Sequence, residues 1–412
     1  MYEEIKKLDP FSYKFLMKEF ERQNTTIELI ASENFTYKAI LEAQGSIFTN
    51  KYAEGYPGKR YYGGCKYYDE VERIAIKRCK EVFKCEHANV QAHSGTQANM
   101  AVYFTVLEKG DKIMAMSLNQ GGHLSHGHKV NFSGKFYNRI SIEMREDGFI
   151  DYDKTEEKAI KEKPKLIVVG ASSYPRKIDF KRFYKIAKKI NAILLADIAH
   201  IAGLIAAELH PNPNPYYDFV TTTTHKTLRG PRGGIIMCRK EYANQLDKTV
   251  FPGIQGGPLM HVILAKAIVL NEAKKKRFKK YQEQILKNSK TLAKELKNLG
   301  FDILTGGTDN HMLILDLRRK KLTGKEVEET LEEVGITVNK NVIPNDPNPP
   351  AITSGIRIGT PAVTSRGMKE KEMKIIANFI KEAIEKRNDK KFLKSLKEKV
   401  IKFAKNYPAY IL

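Results

Sequence analysis

The 412-residue chain carries 71 basic and 48 acidic residues, a net charge of +23, and 42% of its residues are apolar. Because this length exceeds what one hydrophobic core usually organises, the sequence predicts two domains with substantial cores. The apolar runs are too short for a membrane helix, and the first residues lack a signal-peptide pattern, which argues against a membrane or secreted protein. The four cysteines lack paired metal-ligand spacing, which argues against a metal centre. Together these features favour a cytoplasmic setting.

Taken in chain order, the pattern predicts an N-terminal arm over 1–50, a large α/β domain over 51–275 and a small α+β domain over 276–412. In the arm, a helix follows Asp9-Pro10 and runs to about Asn24. The middle segment alternates short apolar runs with helical patterns, which is typical of a mostly parallel sheet. The predicted strands are the region of Val90, 112–116, 166–170, 193–197, 219–223 and 234–237.

A long helical stretch over 259–297 is predicted to follow the large domain. Beyond it we expect strands at 312–316, 335–338 and 356–358, with three helices. Basic runs at 274–280 and 386–405 have apolar residues at helical spacing, so we interpret them as solvated helix faces and expect no specific nucleic-acid binding.

One lysine lies just beyond a β-branched run. Residues 219–223 predict a strand, and Lys226 follows it, ahead of a Gly/Pro turn that contains Arg232. Ligands of open α/β sheets bind at the carboxyl ends of strands, where a lysine near another cation can lose its proton and attack a carbonyl. A solvent-facing loop lysine explains this pattern alone equally well.

An acid ends the preceding apolar run. Residues 192–196 predict a buried strand that brings Asp197 to the same sheet edge. Pyridoxal phosphate pairs a Schiff-base lysine with a carboxylate at its ring nitrogen, so Asp197 and Lys226 together fit this cofactor. By itself, Asp197 is more typical of a helix N-cap after a strand.

A candidate phosphate cradle precedes both residues. Ser94, Gly95 and Thr96 open an Ala-rich helix and would present backbone N–H groups, two hydroxyls and the positive end of the helix dipole to an anion. Any helix N-cap can have this composition. The Ser-Gly-Thr turn precedes Asp197 and Lys226 in the chain, and this order supports the cofactor interpretation.

At this point the chain closely resembles serine hydroxymethyltransferases, pyridoxal-phosphate enzymes of the aspartate aminotransferase fold type. The resemblance runs nearly end to end and implies a large domain with a mostly parallel mixed sheet between helices, followed by a smaller α+β domain. Its most specific blocks are LIASEN at 29–34, KYAEGYPGKRYYGG at 51–64, GGHL at 121–124, the lysine block at 221–234, FPGIQGGP at 251–258 and GIRIGTPA at 355–362.

The resemblance implies roles around the cofactor. Lys226 matches the lysine that carries pyridoxal phosphate, Asp197 the partner of the ring nitrogen and His123 the imidazole that stacks on the ring, although His123 alone would be interpreted as a loop histidine. The other cofactor contacts that it implies are Ser94, Gly95, Thr96, Ser172, His200 and His225, with Tyr52, Gly256 and Gly257 from the partner subunit. The resemblance therefore implies a homodimer with shared sites, with the choice between dimer and tetramer open.

It also implies residues for the substrates. Arg357 and Ser32 match groups that bind the carboxylate of serine or glycine, and Glu54 matches the acid that handles the substrate hydroxyl. From residue type alone, Arg357 is also typical of an ordinary surface arginine on an edge strand. The tyrosines of 52–68 could likewise form a packed aromatic face. Further catalytic positions are Tyr62 and Thr223, and further substrate positions are Leu118, Gly122, Leu124 and Arg232, of which the first three contact the pterin.

The implied reaction is reversible transfer of the serine hydroxymethyl carbon to tetrahydrofolate or a related reduced pterin. Two departures bear on this carrier: Ser-Leu-Asn-Gln at 117–120 replaces an Asp-Leu-Ala-His type run, and Pro-Pro-Ala at 349–351 replaces a Ser-Pro-Phe loop. Loss of an aromatic there removes packing area beside a pterin arm. The identity of the pterin is therefore left open.

Two alternatives to this function stay open. A folate-independent aldolase for β-hydroxy amino acids, such as a threonine aldolase, needs the same lysine, acid and arginine but no pterin. A non-enzymatic RNA-binding protein on a retired enzyme scaffold predicts loss of Lys226, Asp197 or Arg357, and all three are present.

Overall fold

The computed structural model describes residues 2–411, in which helices and strands alternate through much of the chain and the last elements are helices. The helices are α1 (Glu3–Leu8), α2 (Pro10–Thr25), α3 (Lys38–Gln44), α4 (Lys66–Phe83), α5 (Gly95–Val106), α6 (Phe132–Phe136), α7 (Tyr152–Glu162), α8 (Phe180–Ile190), α9 (Ala202–Ala206), α10 (Ala243–Lys248), α11 (Met260–Ala273), α12 (Lys276–Asn298), α13 (Gly324–Glu333), α14 (Pro361–Ser365), α15 (Glu370–Glu385) and α16 (Lys390–Lys405). The strands are β1 (Ile27–Glu28), β2 (Gly55–Tyr56), β3 (Lys59–Arg60), β4 (His87–Asn89), β5 (Lys112–Ala115), β6 (Asn138–Ser141), β7 (Leu166–Val169), β8 (Ile193–Asp197), β9 (Phe219–Thr223), β10 (Gly234–Cys238), β11 (Asp302–Ile303), β12 (Met312–Asp316), β13 (Ile336–Thr337), β14 (Asn339–Asn341) and β15 (Gly355–Gly359).

A seven-stranded sheet organises residues 36–283, in the order β4-β10-β9-β8-β7-β5-β6. β10 runs antiparallel to β4 and β9, and the other neighbours pair in parallel. β7 and β9 are buried along their whole length, as strands covered on both faces are, which explains their nearly continuous apolar or β-branched sequence. The predicted α/β class with a mostly parallel mixed sheet is confirmed.

The second compact unit contains residues up to 35 and from 284 onward. Its antiparallel sheet has the order β11-β12-β15-β14, and β1 pairs in parallel with β13. Leucine and isoleucine side chains of β12 and β15 pack with apolar residues of α13, α15 and α16 in one buried core. The boundary between the two units falls within α12, and the three-segment division predicted from the sequence stays a prediction.

The sequence predicted several strand bounds to the residue, but two helical predictions need correction. The stretch expected as one helix over 259–297 consists of α11 and α12, because the chain turns at Lys274 and Lys275, where the carboxylate of Glu272 binds Lys275 and Arg277. No glycine or proline marks this turn. After α12 there are four helices within residues up to 411, since α14, only five residues long, was not predicted.

No helix between residues 2 and 411 has the length and apolar character needed to cross a bilayer.

Candidate active site

The carboxyl ends of β7, β8 and β9 meet at one edge of the large sheet. Asp197, the last residue of β8, lies opposite Thr221 of β9, and Lys226 follows β9 by three residues. Ser172 follows β7, and its backbone N–H donates to the Gly121 carbonyl at 2.8 Å. Parallel pairing therefore places the predicted lysine, acid and serine on the same edge.

Asp197 is surrounded by hydrogen-bond donors. Its Oδ2 accepts from Asn99 Nδ2 at 2.9 Å and from His126 Nε2 at 3.0 Å, and its Oδ1 accepts from the Ala199 N–H at 3.1 Å. Thr221 Oγ1 donates to Asn99 Oδ1 at 2.6 Å, which orients the amide so that its nitrogen faces the carboxylate. This network holds the carboxylate in one orientation at the strand end.

The backbone also sets the tautomers of two histidines. The His123 N–H donates to His126 Nδ1 at 3.2 Å, so the proton of a neutral His126 ring lies on Nε2 and faces Asp197. The Ser125 N–H reaches His123 Nδ1 at 3.2 Å, and Ser125 Oγ lies 2.7 Å from the same nitrogen. His123 Nδ1 is therefore an acceptor, and a neutral His123 carries its proton on Nε2.

These contacts and burial set the charges at this edge. Burial by itself would raise the pKa of Asp197, but the hydrogen bond and charge of His126, the field of His123 and the Asn99 amide outweigh it, and the pKa lies well below its usual value. Burial, with the fields of His126 and Lys226, lowers the pKa of His123 to about 4. At neutral pH the site thus holds an anionic Asp197 beside a neutral His123.

The candidate phosphate cradle lies where the chain enters α5. Ser94 is the N-cap residue of α5, and its Oγ accepts from the Gln97 N–H at 3.2 Å. At Gly95, a Cβ would lie 2.7 Å from Thr223 Cγ2, so only glycine lets this turn approach the end of β9. The turn, with Thr96 next to it, presents a helix N-terminus beside the lysine strand.

Hydrogen bonds close the turn that contains Lys226. Thr224 N donates to Gly233 O at 3.1 Å, and Gly230 N donates to Thr224 O at 2.7 Å. Thr227 Oγ1 donates to the His200 carbonyl at 2.9 Å, which ties the lysine turn to the residues after β8. Lys226 is thereby held at the end of β9 instead of in a long mobile loop.

The residues beside the lysine carry further predicted groups. Burial, with the charges of Arg232 and Lys226, lowers the pKa of His225 to about 3, so this imidazole is neutral. Thr223 is buried, and its Oγ1 donates to Ala199 O at 3.4 Å, whereas Arg232 is exposed. Within residues 2–411, the buried Nδ1 of His225 has no hydrogen-bond partner.

A glycine-dependent loop carries the predicted pterin positions. At Gly122, a Cβ would lie 2.1 Å from the Met116 carbonyl oxygen, so a larger residue would displace the loop. The run at 117–120 forms a short turn in which Ser117 N and Oγ both approach Gln120 Oε1, at 3.2 and 2.9 Å. Leu118 is half-buried and Leu124 is exposed on this loop.

A second group of predicted residues collects around two glycines. A Cβ on Gly257 would lie 2.9 Å from the Tyr52 ring, and one on Gly256 would lie 3.5 Å from Glu54 Oε1. The rings of Tyr52 and Tyr62 lie 5.6 Å apart, and Tyr52 is 63% exposed. The structure therefore brings five predicted residues together, of which Glu54 and Gly257 are half-buried and the others exposed: Tyr52, Glu54, Tyr62, Gly256 and Gly257.

The two predicted carboxylate ligands belong to the other compact unit. Arg357 lies in β15, its Nε donates to Asn339 Oδ1 at 3.0 Å, and burial lowers its pKa to about 10, so it stays charged at neutral pH. The loop with Ser32 runs beside the end of β15, where the Gly359 N–H donates to Leu29 O at 2.7 Å. A Cβ on Gly359 would lie 2.3 Å from the Ala31 Cα, so glycine is needed for this approach.

The Pro-Pro-Ala run at 349–351 is exposed. Asp346 closes its loop by accepting hydrogen bonds from Asn348 N at 3.0 Å and Ser354 N at 2.8 Å. The loop is thus held by its own polar groups, and the aromatic that the resemblance led us to expect is replaced by solvent-facing proline and alanine.

A buried acid at the base of the Ser32 loop gives a pH-dependent prediction. Glu28 is 4% exposed, and its Oε1 accepts from Ile30 N at 3.0 Å. Burial and then the charge of Glu33 raise its pKa to about 8, against the Ile30 hydrogen bond and Arg22. The folded protein therefore keeps a proton that the unfolded chain releases above about pH 4.5, and stability present at low pH is lost as the pH rises towards 8.

Glu28→Gln should remove this loss. We expect the free energy of unfolding to exceed that of the wild type by about 2 kcal/mol at pH 8.5 and to change little at pH 5. Urea unfolding at both pH values measures this difference, with Glu21→Gln, which removes an exposed carboxylate on α2, as the control. An equal difference at the two pH values would contradict the assignment.

Sequence reasoning missed the residues that hold Asp197. They are Asn99 on α5, Thr221 on β9, and Ser125 and His126 in the loop after Gly122. Two signals were available: an asparagine inside an Ala-rich helix, and a second histidine three residues after His123. Neither signal identifies its partner, because the contacts form between elements that are distant in the chain.

The fold and this site define a class. A mostly parallel sheet whose edge collects a lysine, an anionic carboxylate and a helix N-terminus built for an anion is the arrangement of a pyridoxal-phosphate-dependent enzyme of the aspartate aminotransferase fold type. The family model described as SHMT, serine hydroxymethyltransferase, matches residues 5–380. The chain therefore belongs to the serine hydroxymethyltransferase family of pyridoxal-phosphate-dependent transferases, which act on serine and glycine in one-carbon metabolism.

Proposed function

We propose that the protein transfers the hydroxymethyl carbon of L-serine reversibly to tetrahydrofolate or a related reduced pterin, with glycine as the other product. The observation that carries this proposal is the convergence of Lys226, Asp197 and the Ser94–Thr96 turn on one sheet edge, in a chain of this family. A catalyst that breaks a Cα–Cβ bond of an amino acid needs both an electron sink and a fixed base, and this edge offers groups for both.

The residues present fit pyridoxal phosphate. The neutral His225 has a buried nitrogen that lacks a partner within residues 2–411, and the turn at Gly95 lies too close to Thr223 of β9 for a side chain. When bound, the cofactor supplies a carbonyl that an amine can attack and a protonated ring that accepts electrons. Ser94, Gly95, Thr96 and His225 would hold its phosphate.

Each remaining residue of the edge has a role that its charge permits. Lys226 would hold the cofactor covalently, and the anionic Asp197 would keep a proton on the ring nitrogen. The neutral His123 would stack on the ring without placing a second positive charge beside it. Ser172 and His200 would contact the cofactor from the loops after β7 and β8.

Arg357 and Ser32 would bind the substrate carboxylate. A guanidinium offers two parallel N–H donors to a carboxylate, and Arg357 keeps its charge at neutral pH. Glu54 would hold or move the proton at the substrate hydroxyl, with Tyr62, Thr223 and Arg232 as supporting groups. Leu118, Gly122 and Leu124 would contact the pterin.

We propose that the enzyme works as a homodimer, or a pair of dimers, whose sites each take Tyr52, Gly256 and Gly257 from the partner subunit. The exposure of Tyr52 and the tight packing of its ring on Gly257 support a surface built to be covered. The molar mass of the protein in solution tests this state. The four free cysteines fit a reducing compartment, and we propose a cytoplasmic location, which cell fractionation tests.

The test of the function is an absorbance titration of the purified protein reconstituted with pyridoxal phosphate. We expect a yellow protein whose glycine complex gains a strong red-shifted band only when tetrahydrofolate is added. This result would also show that the exposed loop at 349–351 accepts ordinary folate.

Two other outcomes redirect or contradict the proposal. A yellow protein that cleaves β-hydroxy amino acids at a rate independent of folate would support the aldolase alternative, and a band that appears only with a modified pterin would change the carrier. A protein that cannot be reconstituted with the cofactor would overturn the assignment.

A further inference from the structure

A lysine is buried behind the phosphate cradle. Lys266 lies in the middle of α11 and is 1% exposed. Lysine is almost never fully buried unless its charge is satisfied, because transfer of an ammonium out of water is costly. None of the roles proposed above uses this amine.

Three backbone carbonyls surround the Lys266 amine. Its Nζ donates to Val90 O at 2.6 Å, to Ala92 O at 3.0 Å and to Gly234 O at 2.8 Å. An ammonium has three protons for these three oxygens, whereas a neutral amine has two protons and would point its lone pair at the third oxygen. The geometry therefore fits the charged form of Lys266.

Two of the three carbonyls belong to residues 90–93, which lead into the cradle turn at Ser94 and which we call the lead-in segment; the third belongs to Gly234 of β10. Ala92 O also accepts from the Gly234 N–H at 3.0 Å, and a Cβ on Gly234 would lie 2.5 Å from Ser94 O. Lys266 thus binds both the lead-in segment and the strand against which the cradle turn is packed. Any shift at 90–92 would move Ser94 and the N–H groups after it.

Gln255 binds the same segment through the backbone groups that Lys266 does not contact. Gln255 Nε2 donates to Gln91 O at 2.9 Å, and its Oε1 accepts from His93 N at 3.0 Å. In an extended chain, the backbone polar groups of successive residues point to opposite sides. Lys266 therefore binds the carbonyls of residues 90 and 92, whereas Gln255 binds the carbonyl of residue 91 and the N–H of residue 93. The two side chains fix the lead-in segment from both sides.

Other titratable groups face the same amine. From α4, the Glu72 carboxylate binds Arg60 at 2.5 Å and favours the charged form of Lys266. Burial nevertheless lowers the pKa of Lys266 to about 7. On the lead-in segment, burial and then the charge of Lys266 lower the pKa of His93. On α4, the hydrogen bond with Cys85 and then burial raise the pKa of Cys79, so both groups stay neutral near pH 7.

We propose that Lys266 is a positioning residue for the cofactor phosphate: its ammonium fixes the backbone at 90–92 and thereby aims the cradle N–H groups at the phosphate. The inference rests on the proposed function, since it requires pyridoxal phosphate to bind at this edge. Lys266 would thus contribute to the affinity for the phosphate group without itself contacting the cofactor.

Comparison of pyridoxal phosphate with pyridoxal isolates this share, because the two differ only in the phosphate. The dissociation constant of pyridoxal divided by that of pyridoxal phosphate, both measured with the apoprotein, should fall by at least about tenfold in Lys266→Met, while pyridoxal affinity stays near that of the wild type. Lys266→Gln, with two donors and no charge, should lie between. Lys280→Met, which removes an exposed lysine of α12, should leave the ratio unchanged.

The wild-type result separates this inference from the function. If the wild type binds neither compound, the proposed function fails. If it binds both and the folded Lys266→Met keeps the wild-type ratio, the positioning role is overturned. Equal losses for both compounds would indicate general damage to the site and would also contradict the role.

A pH series on the wild type needs no variant to fold. As the pH rises from 6.5 to 9, Lys266 loses its proton, and the preference for pyridoxal phosphate over pyridoxal should fall several-fold. Ionisation of the phosphate near pH 6 acts in the opposite direction, and titration of Lys226 affects both compounds and cancels in the ratio. A preference that is flat or rises up to pH 9 would overturn the role of the ammonium.

Discussion

Replacement of Asp197 by asparagine is expected to lower the turnover of serine cleavage by at least about a thousandfold, about 4 kcal/mol of activation free energy. The carboxylate accepts three N–H groups, from Asn99, His126 and Ala199. An asparagine must turn its own N–H₂ towards at least one of these donors. The variant therefore loses the charge opposite the cofactor ring nitrogen and gains a donor facing a donor.

Asp218→Asn is the matched control. Asp218 is also half-buried and lies beside β8 and β9, where its Oδ2 accepts from the Leu194 N–H at 2.8 Å at the far end of the strands. The Asp218→Asn variant should retain turnover within about threefold of the wild type, because Asp218 lies away from the candidate site. Steady-state kinetics and cofactor absorbance measure both variants. An Asp197→Asn protein that binds cofactor and retains a tenth of wild-type turnover would contradict the proposed role.

The placement of Asp197 and Lys226 on one sheet edge could be predicted from the sequence because it depends on where strands end. β8 and β9 are short runs of apolar or β-branched residues that end in polar groups, and parallel strands end at the same edge of a sheet. Asp197 and Lys226 therefore share an edge once the sheet is predicted. The mutual arrangement of their partners does not follow from any strand pattern.

Strands without an apolar run were not predicted, because strand prediction depends on such runs. β6 reads Asn-Arg-Ile-Ser and β14 reads Asn-Lys-Asn, and both lie at sheet edges, where one side of the strand faces no neighbour. Their pairing comes from the backbone of β5 and β15, which already lie in place. Such strands form by tertiary context and leave little periodicity in the sequence.

Buried polar groups were the second kind of omission. Lys266 interrupts an apolar helix and Asn99 an Ala-rich one, and each is a local inconsistency that a sequence pattern can flag. What each binds depends on carbonyls or carboxylates brought in from other elements. The sequence thus indicates that something is bound there and leaves the partner unknown.

The second large effect concerns Lys226, and the chain contains a rival amine. Lys266 is more deeply buried and has its pKa lowered to about 7, which is the usual signature of a nucleophilic lysine. Its three protons are, however, all engaged by carbonyls of Val90, Ala92 and Gly234. Geometry therefore favours Lys226, at the strand end beside His123 and Asp197, as the residue that holds the cofactor.

Borohydride reduction of the reconstituted protein, followed by peptide mass analysis, should place the cofactor on the peptide that contains Lys226. Lys226→Met should carry no reducible cofactor, and its turnover should fall by at least about ten-thousandfold, because a covalent catalytic group is lost. Lys240→Met, which removes a lysine next to β10, should behave as the wild type. A label on Lys266 instead would reverse the assignment, since it would require the amine to leave its three carbonyls and the cradle to rearrange around it.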